Sequence, residues 1–158
     1  MKISYKHLIK HITTPTDINE MSERLFQLGH EHTIDNNVFD IEFTPNRGDC
    51  LSVFGLLRDL KPFYKIELEN KSYEKNLKPL NMDFENNALE SCPSISFLKI
   101  EIDKPVSKYQ GSLENYFSDL DNKQINFFTD ISNYISYEMG QPTHCYDASK
   151  IDGKLSLN

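Results

Sequence analysis

Asn133 and His144 are the residues whose types and spacing best suit chemistry in this 158-residue chain. Asn133, preceded by Ser132, falls near the start of a helical stretch, and His144 follows eleven residues later, beyond Gly140. A helix closed by a glycine and followed by a return loop can bring an amide and an imidazole to one pocket. There an amide can position a carbonyl or hydroxyl, and an imidazole can orient a water or bond a ribose oxygen. By spacing alone, a polar helix cap and an ordinary hydrogen-bonded imidazole account for the same residues.

A second polar segment is TPNRGDCLS, residues 44–52, which reads as a corner between a strand and a helix. Pro45 restricts Thr44 to extended geometry, and Gly48 can take positive φ. Asp49 can accept free amides at the helix start, where the helix dipole also favours an anion. Arg47 can brace the turn with its fork of donors. Pro45, Asn46, Arg47 and Asp49 are therefore expected to be structural. The embedded Arg-Gly-Asp is read as coincidence rather than an adhesion ligand.

Other constellations carry less. His7 and His11 stand four apart, and His30-Glu31-His32 forms a second group. A zinc site needs further converging ligands, and no HExxH pattern is present, so these read as solvated surface histidines and no metal is expected. Cys145 follows His144 directly, but adjacent residues rarely align as nucleophile and base. Cys50, Cys92 and Cys145 are odd in number and lack CxxC spacing, which argues against a disulfide framework. The scattered glycines form no phosphate-cradling loop, and the chain itself is expected to bind no cofactor.

These residues need elements to hold them. Residues 5–12 read as a short helix with Leu8, Ile9 and Ile12 inward. Residues 17–28 read as a clearer one, with Asp17 and Glu20 as a capping box, Ile18, Met21, Leu25 and Leu28 on one face, and Gly29 as the C-terminal cap. Asp35-Asn36-Asn37 is a turn signal. Residues 38–43 alternate, with Phe39, Ile41 and Phe43 on one side and Asp40 and Glu42 on the other, as in a half-buried strand. Leu51, Phe54, Leu57 and Leu60 return to helical spacing, with Pro62 limiting the end. Residues 66–91 are polar and poorly periodic and read as a linker with room for one short strand. Residues 94–102 read as a strand, 111–120 as a helix and 131–139 as another. The terminal KLSLN reads as the start of a strand with no evident partner, so the second domain looks unfinished.

Composition sets limits on function. Hydrophobic residues make up 38% of the chain, with ten Phe and eight Tyr supplying much of a core. The formal net charge is −7, and all three arginines (Arg24, Arg47, Arg58) lie in the first half. That balance argues against autonomous binding to a nucleic-acid backbone, which needs clustered Lys and Arg. No apolar run approaches the roughly 20 residues of a membrane span, and a cytoplasmic protein is expected.

Taken in order, MKIS, LFQLG, TPNRGDCLS with GLLRDL, DISNYISYEMGQPTHCYD and KIDG resemble the N-terminal region of the bacterial phenylalanyl-tRNA synthetase beta-subunit family. The likeness runs from Met1 to about Leu157, with a weak stretch over 66–128. It implies an α+β chain: a small helical N-terminal domain with a short strand pair over 1–65, a linker over 66–91, and the incomplete start of an α+β editing-type domain over 92–158. In the family a tRNA-binding barrel is inserted in the first domain; here 33–37 stands in its place, so that module is expected to be absent. The editing pocket, which in the family removes tyrosine mischarged onto phenylalanine tRNA, would match at Ser132, Asn133 and His144.

The departures are specific. Cys92 is followed by PSISF where family members carry an Arg-Tyr pair, and NKQIN replaces a Gly-Ile-Arg. No arginine follows Arg58, and a later editing glutamate would lie beyond Asn158. The resemblance implies ATP-dependent charging of tRNA with phenylalanine by an alpha/beta holoenzyme using ATP and magnesium, the activation site lying on the alpha subunit. This chain would give scaffold and part of the editing pocket, is expected to be inactive alone in that reaction, and would meet the alpha subunit, remaining beta-subunit domains and, through the complex, tRNA. The alternatives are a free-standing degenerate paralogue acting as a non-catalytic binding or regulatory protein and, behind it, a trans-acting aminoacyl-tRNA deacylase.

Overall fold

Ahead of the helix expected from residue 5, the chain forms a strand. The computed structural model describes residues 1–68 and 78–158; residues 69–77 of the expected linker lie outside the described residues. Strand β1 (Lys2–Ser4) leads into helix α1 (Tyr5–Leu8), which continues as a 3-10 turn over Ile9–His11. Helix α2 (Ile18–Gln27) follows, then the hairpin β2 (Glu31–Asp35) and β3 (Val38–Glu42), and helix α3 (Val53–Leu60). Later come β4 (Phe84–Asn86), α4 (Gly111–Leu120), α5 (Phe127–Met139) and β5 (Leu155–Leu157). The chain is α+β, as expected.

Among the described residues the chain forms two compact units. One combines the chain up to Leu68 with Val106–His144; the other combines the stretch from Lys78 to Pro105 with Cys145–Asn158. These units cut across the division expected at 66–91.

In the first unit the expected strand pair is a three-stranded antiparallel sheet, ordered β1-β3-β2. Asn36 and Asn37 close the hairpin with φ of 47° and 70°, the left-handed pair that a two-residue hairpin turn requires. The position expected to lack an inserted module is thus a tight turn. Phe39 and Ile41 point into the core, while Asp40 and Glu42 are exposed. Ile3, the β1 partner of Phe39, is fully buried, and β1 is too short for alternation to show in sequence.

Helix α2 begins where Asp17 Oδ1 accepts from the amides of Asn19 and Glu20 at 2.8 and 2.9 Å. It ends at Gly29, whose φ of 81° is the left-handed cap. Met21 and Leu25 from α2 meet Val53, Leu56, Leu57 and Leu60 from α3, with Leu8 and Tyr64, in one core. The buried face of α3 is therefore rotated from the expected one, and Leu51 is exposed.

Helix α4 matches its expected limits. Helix α5 starts four residues earlier than expected, because Asn126 Oδ1 accepts from the Thr129 amide at 3.0 Å and supplies the cap. Asp130 is fully buried and accepts from the Tyr109 hydroxyl at 2.6 Å and from the Ile125 amide at 3.1 Å. The Ser4 hydroxyl donates to Asp119 at 2.8 Å and ties β1 to α4.

The second unit corrects two expectations. Residues 94–102 form no strand, and Ile95, Leu98, Ile100 and Ile102 are exposed. A strand needs a partner edge for its amides and carbonyls, and β propensity alone does not supply one. The terminal strand, expected to be alone, has a partner: β5 pairs in parallel with β4, Phe84 opposite Leu155 and Asn86 opposite Leu157. That pairing joins two distant segments, and sequence periodicity is blind to it.

Candidate functional site

The corner at 44–52 is built from mutually bonded charges. Arg47 donates through Nε to Asp49 Oδ1 at 3.0 Å and forms an ion pair with Asp59 Oδ1 at 2.9 Å. The second Asp59 oxygen lies 2.7 Å from His30 Nε2. Arg58 bonds Asp49 Oδ2 at 2.6 Å. Arg47 therefore braces the turn as expected and also clamps it to α3. Its bonds to Asp49 hold that carboxyl down at about 2. Burial alone would raise the Asp59 carboxyl, but bonds from Arg47 and His30 outweigh it and leave it lowered. Burial raises the Cys50 thiol to about 11, so Cys50 stays a protonated packing residue.

Two details of the corner differ from expectation. Gly48 has no left-handed φ. Asp49 spends its carboxylate on two arginines, and the amide acceptor at the start of α3 is Ser52, whose Oγ takes the Gly55 amide at 2.9 Å. Gly55 supplies the steric requirement. A Cβ there would lie 2.1 Å from the Asp49 carbonyl oxygen.

Ser132, Asn133 and His144 all belong to the first compact unit. Ser132 is half-buried on α5; Asn133 is exposed on the same helix; His144 is exposed in the loop after the left-handed Gly140. Beside His144, the Thr143 hydroxyl is buried without a hydrogen-bond partner. The structure thus presents the amide and imidazole to solvent without enclosing them.

The histidines are not the solvated surface groups expected from spacing. His7 is buried, and its Nε2 lies 2.5 Å from Glu138 Oε2. His11 Nε2 lies 3.7 Å from the other Glu138 oxygen. Burial would raise the Glu138 carboxyl, but its bonds to His11 and His7 outweigh that and hold it at about 2. His30 is buried against Asp59, and His32 Nε2 lies 2.8 Å from the Ser22 hydroxyl. Sequence reading missed Glu138 because it stands 131 residues from His7. The i,i+4 spacing of the two histidines was the available signal.

Residues 92–158 match the family model of the B3/4 domain. Across the chain, the beta subunit of phenylalanine–tRNA ligase from Rickettsia felis is 36% identical over 132 residues, covering 78% of this chain and 15% of that protein. The same subunit from Psychrobacter arcticus is 31% identical over 131 residues, covering 77% and 16%. That from the Wolbachia of Brugia malayi is 29% identical over 158 residues, covering 86% and 20%. The chain is homologous to phenylalanine–tRNA ligase beta subunits. It spans 15–20% of the length of these three relatives. The B3/4 match takes in α4 and α5, which carry Asp130, Ser132 and Asn133, together with His144 and strand β5. Among the described residues, no helix is long and apolar enough to cross a membrane.

Proposed function

We propose that this chain acts as part of a phenylalanine–tRNA ligase beta subunit, giving scaffold and one wall of an editing pocket to an alpha/beta holoenzyme. The observation that carries this reading is the 36% identity to the Rickettsia felis subunit over 78% of the chain. In this reading the alpha subunit activates phenylalanine with ATP and magnesium, and the complex receives tRNA in the cytoplasm. The chain's net charge of −7 fits a role in which partners hold the nucleic-acid backbone.

Within the pocket, Asn133 would hold the aminoacyl carbonyl or the tyrosine hydroxyl, and His144 would orient water or the terminal ribose. Ser132, half-buried next to Asn133 on α5, would line the same wall. Both principal groups are exposed, so the pocket is completed by further chain. The exposed row Ile95, Leu98, Ile100 and Ile102 supports the same need, since uncovered apolar surface of this kind marks an interface. The remaining beta-subunit domains are its natural cover.

Co-expression with the alpha subunit and with the remaining beta-subunit domains tests the reading. Recovery of a complex with either, and weaker retention of free tRNA, is the expected result. Recovery of neither counts against it. A second reading, a non-catalytic binding paralogue, is favoured by the lack of any arginine after Arg58. As a free-standing protein it would form no complex with the alpha subunit or the remaining beta-subunit domains and would release no tyrosine from mischarged tRNA.

A further inference from the structure

Two three-residue clusters in the first unit bring metal-ligating atoms within 4.8 Å of one another: His30, Cys50 and Asp59, and His7, His11 and Glu138. Their electrostatics differ. The first already holds a cation. Arg47 Nη2 forms an ion pair with Asp59 at 2.9 Å and also lies 2.7 Å from Cys50 Sγ. A metal ion there would meet a guanidinium and a protonated thiol. In the second, the carboxylate is held ionised between two imidazoles, the donors that zinc prefers beside thiolate.

We propose that His7, His11 and Glu138 form a zinc-binding site. The fold builds it from two directions. His7 and His11 project from one face of α1 and its 3-10 extension, as i,i+4 residues do. The Tyr5 amide, bonded to the Asn37 carbonyl at 2.8 Å, pins the start of that helix. Glu138 comes from the last turn of α5. Tetrahedral zinc holds its ligands about 2 Å from the ion and so roughly 3.3 Å from one another. The imidazoles now lie against different Glu138 oxygens, His7 2.5 Å from Oε2 and His11 3.7 Å from Oε1, so the carboxylate has to turn to present one oxygen to an ion held between both rings.

The surroundings suit a closed, weakly hydrated ion. His7 is 4% exposed, Glu138 13% and His11 21%, so entry is from the His11 side. The His7 ring packs near Tyr134 and Tyr137, and the His11 ring edges against Phe54. With three protein ligands the fourth position falls to water. The ion would join the N-terminal helix to α5, and because the unfolded chain lacks the site, its binding free energy would add to folding stability. The inference stands independently of the ligase reading.

The test uses the full chain stripped with chelator and titrated with zinc alone, and with cobalt as a spectroscopic stand-in. One equivalent of cobalt is expected to give tetrahedral d–d bands without thiolate charge transfer, and zinc is expected to raise Tm and to shift the imidazole nitrogen resonances of His7 and His11. His11→Ala and Glu138→Gln are each expected to weaken binding by about tenfold or more. Glu138→Gln keeps volume and bonding reach, so folding can be verified by circular dichroism in the absence of metal. Absence of the bands with no zinc-dependent Tm change overturns the proposal. So does thiolate charge transfer, which would assign the ion to a cysteine (Cys50 with His30 and Asp59, Cys92 or Cys145), or zinc affinity unchanged in both variants. The resonance shifts are read on the unaltered chain and decide the matter should a variant fail to fold.

Discussion

The corner at 44–52 and the helix and loop at 130–144 both look, in sequence, like polar motifs at helix starts. In the fold they are opposites. The corner turns its charges on one another: Arg47 on Asp49 and Asp59, Arg58 on Asp49, His30 on Asp59. In the other segment Asp130 is buried and triply bonded, but Asn133 and His144 face outward. The difference separates two meanings of an unusual polar motif. Charges that consume one another hold a fold; polar groups left presented on a rigid helix are available to something else.

The largest test of that contrast is steric. A Cβ at Gly55 would meet the Asp49 carbonyl at 2.1 Å and Ser52 Oγ at 3.0 Å, inside the corner that the ion pairs hold closed. Gly55→Ala is expected to destabilise the chain by about 3 kcal/mol, the upper range for overpacking. Gly48, within the polar motif itself, has open space and no left-handed φ. Gly48→Ala should change stability by less than about 0.5 kcal/mol. Chemical denaturation of both variants decides this; equal losses would mean that the corner is not rigid.

Asp59→Asn comes next. It keeps the shape and removes the charge that Arg47 and His30 share, at a site 22% exposed. A loss of about 2 kcal/mol at neutral pH is expected, as for hydrogen bonds to charged groups. The sign with pH follows from the lowered carboxyl. Its contribution is complete above the unfolded value of about 3.9 and is lost as pH falls toward the folded value. The variant should therefore be less stable than the parent at neutral pH, and the gap should shrink below about pH 4. A gap that persists into acid would assign the effect to packing.

Legibility in sequence followed the range of the interactions. Local signals were read well: the Asp17 cap, the Gly29 terminus, the alternation of β3 and the limits of α4 each depend on neighbours within a few residues. Non-local pairings were not. Strand β1 shows no period in three residues, β4 and β5 find each other across the chain, and 94–102 has strand composition without strand pairing. At the sites the same rule holds. Arg47 was legible as a brace because Asp49 is two residues away, while Asp59 was not. His7 and His11 were visible as a pair, but Glu138, which turns them from solvated groups into a buried cluster, was not.

Within the corner, the two candidate caps differ in what they contact. Ser52 Oγ takes the Gly55 amide at 2.9 Å, whereas the Asp49 carboxylate faces arginines. Ser52→Ala is expected to cost about 1 kcal/mol, the usual worth of an N-terminal cap. Asp49→Ala, at a carboxylate 44% exposed, is expected to cost less. Thermal unfolding of the two variants orders them, and the reverse order would return the cap to Asp49.

The smallest stability effects are expected where function is proposed. Asn133 and His144 are exposed, and no core packing depends on their side chains. Asn133→Ala and His144→Ala should each leave stability within about 0.5 kcal/mol of the parent. Neither should alter recovery of a complex with the remaining beta-subunit domains, because neither belongs to the apolar row at 95–102. In that completed assembly each variant should slow release of tyrosine from mischarged tRNA, His144→Ala through the loss of an oriented water or ribose contact and Asn133→Ala through weaker hold on the aminoacyl group. Parent-like release by both variants in an active assembly would remove these residues from the pocket. Parent-like stability combined with lost release would complete the contrast: removing polar groups from the corner costs the fold, and removing them from α5 and its loop costs the reaction.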